Sequence, residues 1–213
     1  MEPKEHWQHV YETKQASELS WFQSEPHISL GFIRRTTPDR QACIADVGGG
    51  ASTLVDCLLK EGYQKLTVLD ISTTALAQAQ KRLGALAESV SWVEGDALNR
   101  VLARASVDFW HDRAVFHFLT DPRDRVRYID HVRHALRPEG HLLVATFAED
   151  GPQRCSGLNV VRYSDAALEA QFAEDFKLLG KEREDHVTPA GVHQSFQYCL
   201  FEYVRRTRKT PAA

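Results

Sequence analysis

Five short apolar runs punctuate the middle of the chain: Cys43–Val47, Leu66–Leu69, Val90–Val93, Val107–Trp110 and His141–Phe147. Their length and the turn residues around them predict strands rather than helices. Most of the segments between them show helical spacing instead. In Ser72–Leu83, Ser72 is a good N-cap, Ala75, Leu76, Ala79 and Leu83 fall on one face, and Gly84 supplies a stop. Ser52–Lys60 behaves likewise and closes at Gly62. Pro122 suits a first helical turn, with Val126, Ile129, Val132, Ala135 and Leu136 as a buried stripe before Pro138-Glu139-Gly140 turns the chain. Strands alternating with helices predict right-handed crossovers and a parallel sheet covered on both faces.

The ends of the chain read differently. Leu178–Val187 and Phe196–Val204 are strand-like and flank Thr188-Pro189-Ala190-Gly191-Val192, which predicts an antiparallel hairpin. A helix is expected near Lys4–Lys14 and another near Pro26–Arg34. The organisation that follows is one domain: a helical cap over residues 1–40, a core over 41–204 and a tail over 205–213. At 213 residues, 43% apolar and 26% charged, the chain can bury a core without disulfides or a structural metal, and disorder is excluded. Its net charge of −3 offers no broad attraction to nucleic acid or anionic lipid. The basic cluster Arg205, Arg206, Arg208 and Lys209 reads as a solvated tail. No stretch approaches the ~18 apolar residues of a membrane span, and the first residues lack signal- or transit-peptide character. Cys43, Cys57, Cys155 and Cys199 form no metal-ligand spacing, and Cys43 and Cys57 read as small buried hydrophobes. The expectation is a cytoplasmic protein with no metal.

The chemistry is concentrated after the first strand, in Asp46-Val47-Gly48-Gly49-Gly50-Ala51-Ser52. Glycines there allow close approach of backbone to a ligand, and the following helix offers free N–H groups. Asp70 ends the second strand, where an acid can accept hydrogen bonds from a ribose diol. The dinucleotide fingerprint fails at its third glycine, which is Thr53, and no Gly-Lys-Ser/Thr follows to make a P-loop. A ribose-bearing ligand without a pyrophosphate fits best. A nicotinamide-dependent oxidoreductase is the weaker enzymatic alternative.

From about residue 40 to 150 the chain resembles the class I S-adenosylmethionine-dependent methyltransferases. The likeness rests on Asp46 through Gly50, on Leu69-Asp70-Ile71-Ser72, on Gly95-Asp96-Ala97, on Trp110-His111-Asp112-Arg113, and on Leu136-Arg137-Pro138-Glu139-Gly140-His141, in order. It implies a Rossmann-like seven-stranded, mostly parallel sheet with a closing antiparallel hairpin. It also implies S-adenosyl-L-methionine as cofactor and S-adenosyl-L-homocysteine as product. By the same likeness, Gly48 and Gly50 would pass under the methionine part and Asp46 would meet its ammonium. Asp70, with Ile71 beside it, would hold the ribose, and Asp96 and Ala97 the adenine. Trp21, in Leu19-Ser20-Trp21-Phe22-Gln23, is a candidate lid residue with its ring near the sulfonium.

The acceptor is less legible. The segment after strand four lacks the Asn/Asp-Pro-Pro-aromatic motif typical of enzymes acting on nucleic-acid amino groups. Trp110, Asp112, Arg113 and Arg127-Tyr128 are similar to a thiopurine-type small-molecule subgroup, with His111 inserted and Ala114 in place of glycine. Asp112 and the aromatics Trp21-Phe22 are similar to some protein-lysine methyltransferases, from which Arg113 and Ala114 depart. Asp112, Arg113 and His117 are the candidate catalytic residues, Asp112 and His117 as possible bases. His186, His193 and Cys155 are further candidates by position. The resemblance implies transfer to S, N or O of a small molecule, with a protein-lysine acceptor or a non-catalytic cofactor-binding regulator as alternatives.

Overall fold

In the computed structural model, which describes residues 2–204, the first apolar run becomes β1 (Cys43–Val47). It pairs in parallel with β2 (Lys65–Asp70), which pairs with β3 (Val90–Glu94). On its other side β1 pairs with β4 (Val107–Arg113), and β4 with β5 (Leu136–Phe147). A two-strand peptide pair, β6 (Arg154–Cys155) and β7 (Leu158–Asn159), lies apart. The hairpin β8 (Phe176–Val187) and β9 (His193–Tyr203) joins antiparallel to β5, giving the order β3-β2-β1-β4-β5-β9-β8. The order reverses between β1 and β4, the switch point at which such sheets bind ligands. The basic cluster of the tail lies outside the described residues. No helix among them is long and apolar enough to cross a membrane.

Period-two alternation divides the core. Trp110, Leu142 and Phe201 face one side of the sheet, with Tyr128, Val132, Leu168 and Phe172 packed on them. Phe109, Leu143 and Leu200 face the other, with Leu30, Ile33, Leu54 and Leu58. The covering helices are α2 (His27–Thr36), α3 (Leu54–Lys60) and α4 (Thr73–Leu83) on the second side, and α5 (Pro122–Ala135) and α6 (Asp165–Phe172) on the first. Ser72 caps α4 as expected, its side chain accepting from the Ala75 N–H at 3.2 Å. The remaining helix, α1 (Pro3–Thr13), lies across α4. Gln78 donates to the Tyr11 carbonyl at 2.6 Å, and Ser72 to the Gln8 side chain at 3.1 Å.

Three local expectations are corrected. Val126 is 66% exposed, so the stripe of α5 runs through Tyr128, Ile129, Val132 and Ala135. Pro138-Glu139-Gly140 does not turn the chain but lies inside β5. Glu139 sits at φ +64° there, and the register against β4 shifts between Val107 and Phe109. Cys43 and Cys57 are only half-buried, while Cys155 and Cys199 are buried. The sequence reading also passed over α6, although Ser164 caps it and Leu168 and Phe172 give a short buried stripe.

Candidate active site

The turn after β1 is wound too tightly for side chains. Gly48 has φ +67°, and a Cβ there would lie 2.0 Å from a Val115 methyl. Gly50 has φ +32°, and its Cβ would meet the Asp70 carboxylate at 2.6 Å. Above this turn, at the carboxyl ends of β1, β2, β3 and β4, opens a cavity of about 410 Å³. Gly48, Asp70, Ile71, Asp96 and Ala97 line its floor. Its roof comes from the N-terminal region, where Trp7 meets Phe118 with ring centroids 5.0 Å apart and Trp21 at 5.8 Å. Tyr11 completes that cluster, 6.4 Å from Trp21.

The two acids flanking the turn have different surroundings. Asp70 accepts from the Ser72 N–H at 2.8 Å, yet burial dominates and pushes its carboxyl up to about 7. Asp46 does not reach the main cavity. One of its oxygens lies 2.7 Å from His111 Nδ1, whose Nε2 lies 2.8 Å from the Ser29 hydroxyl. Its other oxygen, Oδ2, is buried without a hydrogen-bond partner. Asp46 borders a smaller recess of about 40 Å³ shared with Gly48, Gly49 and Arg113. Gly50 likewise lines neither space and serves the tightness of the turn. Asp96 uses one oxygen to accept from the Leu98 N–H at 2.8 Å, which orders the loop it starts.

Of the candidate catalytic residues, only Arg113 borders the cavity. It is a clamp: it donates to the Tyr198 hydroxyl at 2.7 Å and the Trp21 carbonyl at 2.9 Å, and pairs with Glu184 at 3.2 Å. The strap around Trp21, between residues 19 and 26, is further held by Thr53 donating to the Gln23 carbonyl at 2.7 Å and by His186 Nε2, 2.8 Å from the Ser20 carbonyl. Asp112 and His117 are both fully buried and lie outside the cavity lining. Asp112 accepts from the Tyr128 hydroxyl and from the N–H groups of Val115 and Phe116, and burial raises its carboxyl to about 6. His117 is packed between Phe118 and Phe147, and burial holds its imidazole down to about 3.

His186 and His193 are also outside the lining; His193 pairs with Asp185 at 2.8 Å. Cys155 does face the cavity, but burial pushes its thiol up to about 11, which keeps it protonated and weakly nucleophilic. Sequence reasoning missed His6, Trp7 and Tyr11 on α1, and Phe118 and Asp124, all of which line the cavity. The i, i+4 spacing of Trp7 and Tyr11 was the available signal for an inward face on α1.

The sheet order is Rossmann-like, and a cavity with Gly48, Asp70 and Asp96 on its floor opens at its switch point. Residues 44–140 match the family described as methyltransferase domain. A ubiquinone/menaquinone biosynthesis C-methyltransferase from Roseobacter denitrificans is 30% identical over 109 residues, covering 50% of this chain and 42% of that protein. A protein of the same name from Ruegeria is 30% identical over 117 residues, covering 52% of this chain and 46% of the relative. The chain thus matches less than half the length of either curated relative. Among solved structures, the N-methyltransferase NodS from Bradyrhizobium japonicum, in complex with S-adenosylhomocysteine, has a TM-score of 0.69 at 17% identity, covering 92% of this chain and 97% of NodS. A structure from a study of disulfide-to-thioacetal conversion in echinomycin biosynthesis has a TM-score of 0.77 at 17% identity, covering 96% of this chain and 94% of its own. A Burkholderia thailandensis 1,6-didemethyltoxoflavin N1-methyltransferase, with 1,6-didemethyltoxoflavin and S-adenosylhomocysteine bound, has a TM-score of 0.66 at 19% identity, covering 94% of this chain and 84% of that one.

Proposed function

We propose that this chain transfers a methyl group from S-adenosylmethionine to a small-molecule acceptor. The observation that carries the reading is the cavity itself: two carboxylates, Asp70 and Asp96, and a glycine turn closed to any Cβ, under a roof of aromatic rings. Those features fit the cofactor. Asp70 would take the ribose hydroxyls, which relieves a carboxyl that burial leaves underserved, and Asp96 and Ala97 would flank the adenine. The unpartnered Asp46 oxygen, behind Gly49, would receive the ammonium end directly or through water. When bound, S-adenosylmethionine supplies an electrophilic methyl on a sulfonium.

The chain's own part is positioning and exclusion of water. The aromatic roof offers ring faces to a cation and shuts out solvent, which would compete as acceptor. Arg113 fixes the Trp21 strap at one wall, and Ala114, Val115, Phe118 and Leu158 make the rest of that wall apolar. With Asp112 and His117 sealed away, the site suits an acceptor that is already nucleophilic. Thiols, amines and hydroxylated aromatics are the first to screen. The names of the curated relatives, C-methyltransferases, add carbon acceptors.

Calorimetry with S-adenosylhomocysteine tests the cofactor assignment. Wild-type protein is expected to bind, and Asp70→Ala to bind at least tenfold more weakly, in keeping with the roughly 1.5–3 kcal/mol of a hydrogen bond to a charged group. Absence of binding by the wild-type protein overturns the reading.

A further inference from the structure

Two buried polar side chains on α5 stand one turn apart on either side of the Trp110 ring. Tyr128 lies 5.8 Å from it, centroid to centroid, and His131 lies 5.0 Å away, both edge-on. Neither touches the cavity, and both are fully buried. Their hydrogen bonds lead to opposite ends of it. Tyr128 accepts from Trp110 Nε1 at 2.9 Å and donates to Asp112. Asp112 in turn receives the Val115 N–H at 2.9 Å and the Phe116 N–H at 3.1 Å, in the turn that walls the acceptor side. His131 places Nδ1 2.9 Å from the Ala97 carbonyl and accepts the Leu102 N–H on Nε2 at 3.3 Å. That pair of bonds fixes its neutral form with the proton on Nδ1, and it spans the loop carrying Asp96 and Ala97.

We propose that Tyr128 and His131 are positioning residues that set the two halves of the cavity from one helix: Tyr128, through Asp112, the acceptor-side turn, and His131 the loop on the adenine side. The physical ground is the cost of burying a backbone N–H or carbonyl without a partner. Ala97, Leu102 and Val115 lie outside helices and strands and Phe116 opens a short 3-10 turn, so none has a strand ladder to fall back on. Asp112 on β4, held by Tyr128 of α5, receives Val115 and Phe116, and His131 of α5 serves Ala97 and Leu102. Because Trp110 packs against both, their separation is fixed by one large ring, and the two halves of the cavity are held at a set spacing.

The assignment of the second half to the adenine rests on the cofactor reading above, so the test has two arms. In the first, amide hydrogen exchange is measured without ligand. Tyr128→Phe is expected to speed exchange at Val115 and Phe116 by about tenfold and leave Leu102 within about twofold; His131→Phe reverses the pattern. His131→Gln, whose amide both donates and accepts, restores slow exchange at Leu102. A general loss of stability would speed both sets together, and that outcome overturns the proposal. In the second arm, S-adenosylhomocysteine affinity is expected to fall about tenfold in His131→Phe, a loss of about 1.4 kcal/mol, and to stay within about twofold in Tyr128→Phe and His131→Gln. Equal losses in Tyr128→Phe and His131→Phe overturn the division of labour. Failure of the wild-type protein to bind overturns the cofactor reading instead, while the exchange arm still decides the positioning roles.

Discussion

Asp70 is stable in the fold at the expense of its charge. Its carboxyl titrates at about 7 against an ordinary 3.8, with burial as the largest cause. The folded chain therefore keeps a proton that the unfolded chain has lost, so the stability Asp70 lends is complete below about pH 4 and is lost as pH rises through about 7. Asp70→Asn removes the ionisable group. Scanning calorimetry of the ligand-free variant at pH 8 should show a Tm about 2–4 °C above wild type, corresponding to about 1 kcal/mol in a chain of this size, with little difference at pH 4. Cofactor affinity should move the other way. Such opposed effects mark a residue kept for binding rather than for folding. At this scale the sequence was informative about acids at strand ends and silent about what would neutralise them. Asp46 stands before the glycines as expected, but its pairing with His111, and that histidine's contact with Ser29 on α2, join three distant segments. For His117, position after β4 suggested chemistry, and its packing against Phe118 and Phe147 was not legible in the sequence.

Helix α1 matters as an element because it is a roof. It touches α4 through Gln8, which meets Ser72, Thr73 and Thr74, and through Tyr11, whose carbonyl receives Gln78. Ser72 serves both helices, capping α4 and donating to Gln8. Ser72→Ala should therefore lower unfolding free energy by about 1 kcal/mol through the lost cap, read by urea denaturation. It should also raise the exchange of amides on α1, which a cap confined to α4 would leave unchanged. Strands and helices with long, clear periodicity were legible: β1 and β3 begin where the apolar runs begin, and Ser72 and Gly84 bound α4. Short or overridden elements were not. In β5, Pro138-Glu139-Gly140 carries a strong turn signal, but pairing with β4 continues past it as an irregularity with Glu139 at positive φ. The strands β6 and β7 have two residues each, too few for any pattern.

For the molecule as a whole, strands alternating with helices pointed to a sheet covered on both faces, and motif order pointed to its carboxyl edge. What lay outside local pattern was closure: that Trp7 and Tyr11 would stand beside Trp21 over the opening, and what would hold them. The holding groups come from segments far from the Trp21 strap in the sequence. Arg113 pairs with Glu184, their side chains only 8% and 16% exposed, and donates to the Trp21 carbonyl, while Thr53 and His186 fasten the same strap nearby. Arg113→Leu should free that strap and speed dissociation of S-adenosylhomocysteine, read by stopped-flow, while leaving the fold intact by circular dichroism. The fastening has a consequence for traffic through the site. Escape of a spent nucleoside requires separating shielded charges and uncovering indole surface, and dissolved electrolyte screens the first weakly and does not loosen the second. Departure should thus quicken steeply with warming yet barely register ionic strength, giving this protein a gate that answers to heat rather than to brine.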